Sequence, residues 1–271
     1  MATFAFWNIH KNSLNKAISN LAHQYNVDVL ILAESDANVN KLLEELNAAE
    51  APHFQFTFGM CRKIQIFTRF SREFIKPVFE SDRLTIRHLQ LPARTDILLA
   101  AIHFPSKLFF SEASQASECF ELARSIRSVE EKLGHTRTIL VGDFNMNPFE
   151  VGMVAANGLN AVMTKRIASR QIRKLKNKEY LFFYNPMWSH FGDGKEDSPG
   201  GSYYFERSEN VLYYWNLFDQ VLIRPSMIPF FPSESLRVLS TIGSQSLMTK
   251  SWIPDKVRAS DHLPITFELK L

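Results

Sequence analysis

The chain has 271 residues, 45% of them hydrophobic, which is enough to bury a substantial core as one large domain or two small ones. Lys and Arg number 31 against 28 Asp and Glu, and the resulting charge of +3 excludes a strong global field, leaving any preference for a polyanion to local groups. Two distant cysteines, Cys61 and Cys119, exclude a disulfide framework or a zinc spacing and read as buried thiols in a reducing compartment.

The opening "MATFAFWNIH" has no basic start, long apolar stretch or small-residue cleavage site. No run reaches the roughly 18 apolar residues of a membrane span, so a soluble, cytoplasmic protein is expected. "ATFAFWN" reads as a short strand. "SLNKAISNLAHQYNV" then places Leu14, Ala17, Ile18, Leu21 and Ala22 on one helical face, and "VDVLILAE" follows as a nearly continuous apolar strand. A strand covered on both faces suits a helix crossing over to a parallel neighbour, so this opening predicts a βαβ unit.

A second helix is expected around residues 36–49. "FQFTFGM", "KIQIFTRF", "RLTIRHLQL" and "DILLAAIHF" then read as consecutive antiparallel strands. "SEASQASECFELARSIRSVEEKLG" gives a helix with apolar Cys119, Leu122, Ile126, Val129 and Leu133 that stops at Gly134, before the strand "RTILVGDF". Residues 164–178, "TKRIASRQIRKLKNK", predict an amphipathic basic helix on a stripe of Ile167, Ile172 and Leu175. Residues 191–202 read as a polar, Gly-rich loop, "YYWNLFDQVLI" and "LPITFELKL" as late strands. Without repeats, low-complexity tracts or a linker, residues 1–271 are expected to form one α/β domain with mixed sheets.

Polar groups gather where these strands stop: Asn8, Glu34, His103, then Asp143 and Asn145 in "ILVGDFNMNP", with Asp261 and His262 just before the last strand. Strand ends on a rigid sheet can bring distant side chains into one cluster. The ordinary reading of each residue alone is a turn, a cap or a hydrogen-bonded core histidine. Asp219, inside the apolar "WNLFDQVLI", is costly unless paired, and a carboxylate beside an imidazole is how a histidine base is oriented.

"FWNIH", "LILAES", "AAIHFPS", "VGDFNMNP", "LFDQVLI" and "SDHLPI", in this order over nearly the full length, resemble the endonuclease/exonuclease/phosphatase superfamily with its DNase I-like fold. The resemblance implies a four-layer α/β sandwich, two packed mixed β-sheets flanked by helices, and hydrolysis of a phosphate ester assisted by Mg2+ or Mn2+. It implies Glu34 as the principal metal ligand with Asn8 and Asp261 beside it. Asp143 and Asn145 resemble the pair that positions water and phosphate, and His262 with its partner Asp219 resembles the catalytic histidine. Oxygen donors suit such a cation, and a phosphodiester needs charge neutralisation and an oriented water.

His103 resembles a second histidine of the DNase I-like branch that is paired with a Glu, yet "SDRLTIRHLQL", where that Glu is expected, offers only Asp82 and Arg83. Asn147 is either a substrate contact or a shaper of the turn before Pro148. Arg166, Arg170, Arg173 and Lys174 either follow a phosphate backbone or form a solvated helix face. With downstream aromatics able to stack on unpaired bases, the expectation is a nuclease acting on DNA or RNA through a His-activated water. The alternatives are a phosphomonoesterase, a phospholipid phosphodiesterase of inositol phosphate or sphingomyelin type, and a catalytically silent binding module.

Overall fold

A computed structural model describes residues 1–48, 53–193 and 198–271. The strand Ala2–Asn8 enters helix α1 (Asn15–Gln24), which returns to the parallel strand Val29–Ala33. This is the expected βαβ unit. It forms the centre of a six-stranded mixed sheet whose order is Arg237–Val238, Ile265–Leu269, Ala2–Asn8, Val29–Ala33, Ile64–Thr68, Gln55–Thr57. Helix α2 (Val39–Leu46), shorter than the expected span, is capped by the Asn38 side chain, which accepts from the Asn40 and Lys41 amides; residue 49 lies outside the described residues.

The second sheet has seven strands in the order Ile75–Glu80, Leu84–Leu89, Ile97–His103, Thr138–Asp143, Asp219–Ile223, Phe183–Tyr184, Ala161–Val162. Its central parallel pair, Ile97–His103 and Thr138–Asp143, is joined by helix α3 (Glu112–Leu133). Ser111 caps α3 at its N-terminus, and Gly134, at φ 71°, ends it in the left-handed region that glycine adopts without a Cβ penalty. The edge strand Ile75–Glu80 was not foreseen. It carries Pro77, which an edge tolerates because it lacks an N–H for the ladder.

Three apolar layers explain why the central strands read as continuous hydrophobic runs. Phe4, Phe6 and Ile31 face Leu99, Ala101, Ile139 and Val141 between the sheets. The alternate residues Ala5, Trp7, Leu30 and Leu32 pack outward on Ile18 and Leu21 of α1. Leu98, Ala100 and Leu140 pack outward on Leu122 and Ile126 of α3. Both faces of each strand are therefore dry, and burying each large side chain contributes roughly 1.5–3 kcal/mol. The result is the expected four-layer α/β sandwich. Both cysteines are free and buried, and burial pushes each thiol up.

The basic helix at 164–178 does not form. One helical turn, Lys165–Ala168, is closed by Ser169; Gln171, at φ 70°, then redirects the chain into a hairpin with strands Ile172–Leu175 and Lys178–Leu181. Ile167 and Ile172, five residues apart, fit only a broad helical face, whereas Lys176 at φ 53° supports a two-residue turn and Lys174 pairs across the hairpin with Glu179 at 2.9 Å. "YLFFYN" and "YYWNLFDQVLI" each form two short strands with a break between them. Of the polar loop at 191–202, residues 194–197 lie outside the described residues.

Candidate active site

Both central parallel pairs point the same way, so the carboxyl ends of four strands meet at one end of the sandwich. Asn8 pairs with Ala33, the residue before Glu34, and His103 pairs directly with Asp143. Parallel crossover units leave their polar sites at these strand ends. Gly142 permits the closest approach, since a Cβ there would sit 2.0 Å from the Ile102 carbonyl oxygen. Any side chain would force apart the two strands that hold His103 and Asp143.

Asp143 is the centre of the cluster. Its Oδ2 accepts from Asn8 Nδ2 at 2.9 Å and Asn145 Nδ2 at 3.1 Å, and its Oδ1 accepts from the Asn145 amide at 2.8 Å. The same Oδ2 lies 3.7 Å from His103 Nε2 and 3.9 Å from His262 Nε2. Asn145 adopts φ 48°, a conformation asparagine tolerates, and its Nδ2 also donates to the Phe104 carbonyl at 3.0 Å.

His262 is fixed from several sides. Its Nδ1 meets Asp219 Oδ2 at 2.8 Å, its amide donates to Ser260 Oγ, and its carbonyl accepts from Trp7 Nε1 at 2.9 Å. Tyr203 packs its ring 4.6 Å from the imidazole. Burial would lower the His262 pKa, but the charges of Asp219 and Asp143 outweigh it and raise the value. Burial raises Asp219, whose Oδ1 has no hydrogen-bond partner, and the neighbouring imidazole only partly offsets this. A buried carboxylate with one oxygen unsatisfied is expensive, and such sites recur where function requires them.

Glu34 sits at φ 47°, a strained conformation for a non-glycine residue, held by its carbonyl accepting from the Lys11 amide at 2.8 Å. His103 Nε2 lies 2.9 Å from Glu34 Oε1 and holds that carboxyl down to about 2, against the upward push of burial. Among the described residues Nδ1 of His103 has no hydrogen-bond partner. Among the described residues no separate glutamate is paired with His103; Glu80, at the end of the edge strand Ile75–Glu80, is spent on Arg87 at 2.8 Å and Thr85.

His10 was not singled out in the sequence, although it closes the "FWNIH" motif. Its Nδ1 lies 3.8 Å from Glu34 Oε2 and 3.6 Å from Asp261 Oδ2. Glu34 and Asp261, each about a quarter exposed or less, thus approach the same imidazole nitrogen. Carboxylate oxygens are the donors that a hard divalent cation prefers. Asp143, Asp219 and His262 have donor atoms within 4.8 Å of one another, but two of them are already engaged in the imidazole–carboxylate contact.

Asn147 is fully buried and belongs to the turn. Its Nδ2 donates to Asn216 Oδ1 at 2.8 Å and its Oδ1 accepts from the Leu217 amide at 2.9 Å. No hydrogen bond or ion pair among the described residues joins Arg166, Arg170, Arg173 or Lys174 to the cluster. Arg173 lines a separate hollow with Val151, Asn157 and Tyr180. Of the aromatics singled out in the sequence, Phe182, Phe183 and Tyr184 are core residues, whereas Tyr203 faces the site.

The profile of the Endonuclease/Exonuclease/phosphatase family matches residues 5–262. The chain belongs to that family. Its activity class is the metal-dependent hydrolysis of phosphate esters, and a divalent cation requirement comes with it. The chain is similar to the solved structure of the 3′ phosphatase NExo from Neisseria bound to product DNA hairpin, at 14% identity and TM-score 0.59 over 100% of both chains. It is also similar to D. rerio TDP2 complexed with single strand DNA product, at 15% identity and TM-score 0.57 over 100% of this chain and 99% of that one. The endonuclease domain of TRAS1, a telomere-specific non-LTR retrotransposon, matches at 14% identity and TM-score 0.53 over 100% and 99%. A search of curated proteins returns no match. Among the described residues no helix is long and apolar enough to cross a membrane.

Proposed function

We propose that residues 1–271 form one catalytic domain that hydrolyses phosphodiester bonds of nucleic acid, with Mg2+ or Mn2+ as the cation and the cytoplasm as its compartment. The observation that carries this reading is the meeting of Glu34, His103, Asp143 and His262 around one opening, with Asp219 behind His262. Family neighbours that hold DNA products support nucleic acid as the substrate.

Glu34 and Asp261, with Asn8 beside them, would hold the cation, and His10 adds a nitrogen close to both carboxylates. The cation supplies charge neutralisation at the phosphate oxygens. Asp143, its carboxylate fixed by Asn8 and Asn145, orients the attacking water. His262, with Nδ1 committed to Asp219, would take the proton from that water at Nε2 in its neutral form, which, given the raised pKa, becomes more abundant as pH rises. Asn145, its Nδ2 committed to Asp143 and the Phe104 carbonyl, holds the Asp143 carboxylate in place, and His103, its Nε2 beside Glu34 and Asp143, would serve as the donor to the phosphate and the departing oxygen.

A second reading, a phosphomonoesterase acting on a nucleic-acid terminus, is favoured by the likeness to a 3′ phosphatase. Hydrolysis of a panel with Mg2+ and with Mn2+ separates them: DNA and RNA oligonucleotides, the same strands with terminal phosphates, an inositol phosphate and a choline phospholipid. Chelator-sensitive cleavage inside or at the end of a strand is expected. Release of terminal phosphate alone selects the second reading, and turnover of only the lipid or inositol phosphate overturns both.

A further inference from the structure

Two hollows flank the catalytic opening, and their chemistry differs. In the seven-stranded sheet His103 and Asp143 end adjacent strands. Beyond His103, on the side of the strand Leu84–Leu89, lies a hollow of about 720 Å³ lined by Gly59, Met60, Arg62, Lys63, Asp82 and Arg83. Arg83 is tied to the site, since its carbonyl accepts from the His103 amide at 3.0 Å. Three cations against one carboxylate make this a positive surface, and Arg62 and Lys63 are exposed.

Beyond Asp143, on the side of the strand Asp219–Ile223, lies a hollow of about 450 Å³. Asn145 and Tyr203 form its catalytic edge, and Phe205, Tyr213 and Phe218 line its walls. Tyr203 stacks on Phe218 at 5.0 Å and on Phe205 at 6.5 Å, while Tyr213 and Val211 stand 55% and 74% exposed at the rim. The cations of this lining, Lys107 and Arg207, are each matched by a carboxylate, Lys107 to Glu150 and Arg207 to Glu209. The hollow is thus aromatic and nearly neutral. It suits a flat, uncharged group and not another phosphate.

Building on the proposed nucleic-acid reading, we infer that the aromatic hollow receives an unpaired nucleobase next to the scissile phosphate, while Arg62, Lys63 and Arg83 hold the phosphates on the other side. The enzyme therefore acts on single-stranded or frayed nucleic acid. A paired base offers only its edges, so its face reaches Tyr203, Phe205 and Tyr213 only after leaving the stack. A phospholipid has one phosphodiester and leaves the positive hollow unmatched, whereas a strand carries a charge at every nucleotide.

The experiment measures kcat/KM with Mn2+ for a single-stranded decanucleotide, the same sequence in a blunt duplex, methyl 4-nitrophenyl phosphate and choline phospholipid vesicles. Wild-type protein is compared with Tyr213→Ala, Phe205→Ala and the double variant Arg62→Glu/Lys63→Glu, with thermal midpoints as the folding control. Expected is a preference for the single strand over the duplex. The ratio of single-strand to small-diester turnover should fall about tenfold or more in each aromatic variant, in line with about 1–3 kcal/mol per stacked base. The charge-reversed variant should show a flatter salt dependence of KM. Quenching of 2-aminopurine beside the scissile bond, read on binding to Asp143→Asn, should be lost when Tyr213→Ala is added. Unchanged ratios, equal duplex cleavage or a preference for vesicles while the small diester is hydrolysed would overturn the inference alone. Failure of wild-type protein to hydrolyse any phosphodiester would overturn the functional reading beneath it.

Discussion

His103 Nε2 and Glu34 Oε1 lie 2.9 Å apart, so the histidine at a strand end of one sheet is paired with a carboxylate at a strand end of the other. A residue expected to have its own glutamate instead shares the one at the end of the strand Val29–Ala33. With Glu34 proposed to hold the cation and His103 to meet the phosphate, this contact would couple the two across the interface between the sheets. Among the described residues the other ring nitrogen, Nδ1, is buried without a hydrogen-bond partner, and such a group is costly.

His103→Asn should consequently lower kcat by about a hundredfold, the usual worth of one proton donor. Single-turnover kinetics with a saturating oligonucleotide checks this, and wild-type rates would remove His103 from the chemistry.

Asp219→Asn keeps the shape of the side chain but removes the carboxylate that fixes His262 through Nδ1 at 2.8 Å. Turnover should fall by roughly 10²–10⁴ with substrate binding little changed, because the imidazole loses its orienting partner. KM and kcat measured separately distinguish this from a folding defect, which would lower both the amplitude and the thermal midpoint.

Glu34→Gln should weaken divalent cation binding by about tenfold or more, since an ionised carboxylate is the strongest hard-cation donor at that opening. Titration of Mn2+ followed by electron paramagnetic resonance reads the dissociation constant without turnover. His10→Ala, which removes a nitrogen and no charge-bearing oxygen, should change it less.

Far from the site, Arg224 and Glu130 form a buried bidentate pair, with Nε and Nη2 donating to Oε1 and Oε2 at 2.8 and 3.0 Å. Arg224 also lies 3.8 Å over the Phe183 ring and donates to the Phe182 carbonyl. Glu130→Gln or Arg224→Met leaves one member of the pair buried without its opposite charge and should cost about 3–5 kcal/mol of stability. Guanidinium denaturation measures the loss, and kcat of the folded fraction should be retained.

Asp96 anchors the opposite end of the second sheet, where it meets His88 at 2.8 Å, His135 at 3.2 Å and Arg137. Burial pushes its carboxyl up, but His88 and Arg137 outweigh this and hold it below the ordinary value. A depressed folded-state value contributes stability above the unfolded-state pKa of about 3.9 and loses it as pH falls through the folded value. Asp96→Asn should therefore be less stable than wild type at pH 7, with the gap closing under about pH 4. Thermal midpoints across that range test it.

Local patterns were legible where one physical constraint dominated. The continuous apolar strands, the crossover helices α1 and α3 and the Gly134 stop follow from burial on both faces and from backbone sterics. They located the strand ends and hence Asn8, Glu34, His103, Asp143 and His262. The basic stretch at 164–178 has apolar residues that fit a broad helical face, but left-handed backbone at Gln171 and Lys176 breaks the helix there. The structure instead uses a turn at Lys176 and a cross-strand pair.

The sequence by itself determined which residue types stand at which strand ends, because apolar runs and turn residues are local properties. Only the tertiary structure decided who partners whom. That His103 meets Glu34, that His10 approaches both Glu34 and Asp261, and that Asn147 is consumed by Asn216 and Leu217 depend on how two sheets pack. Register and sheet packing bring together residues separated by tens to hundreds of positions, and no local pattern encodes those distances.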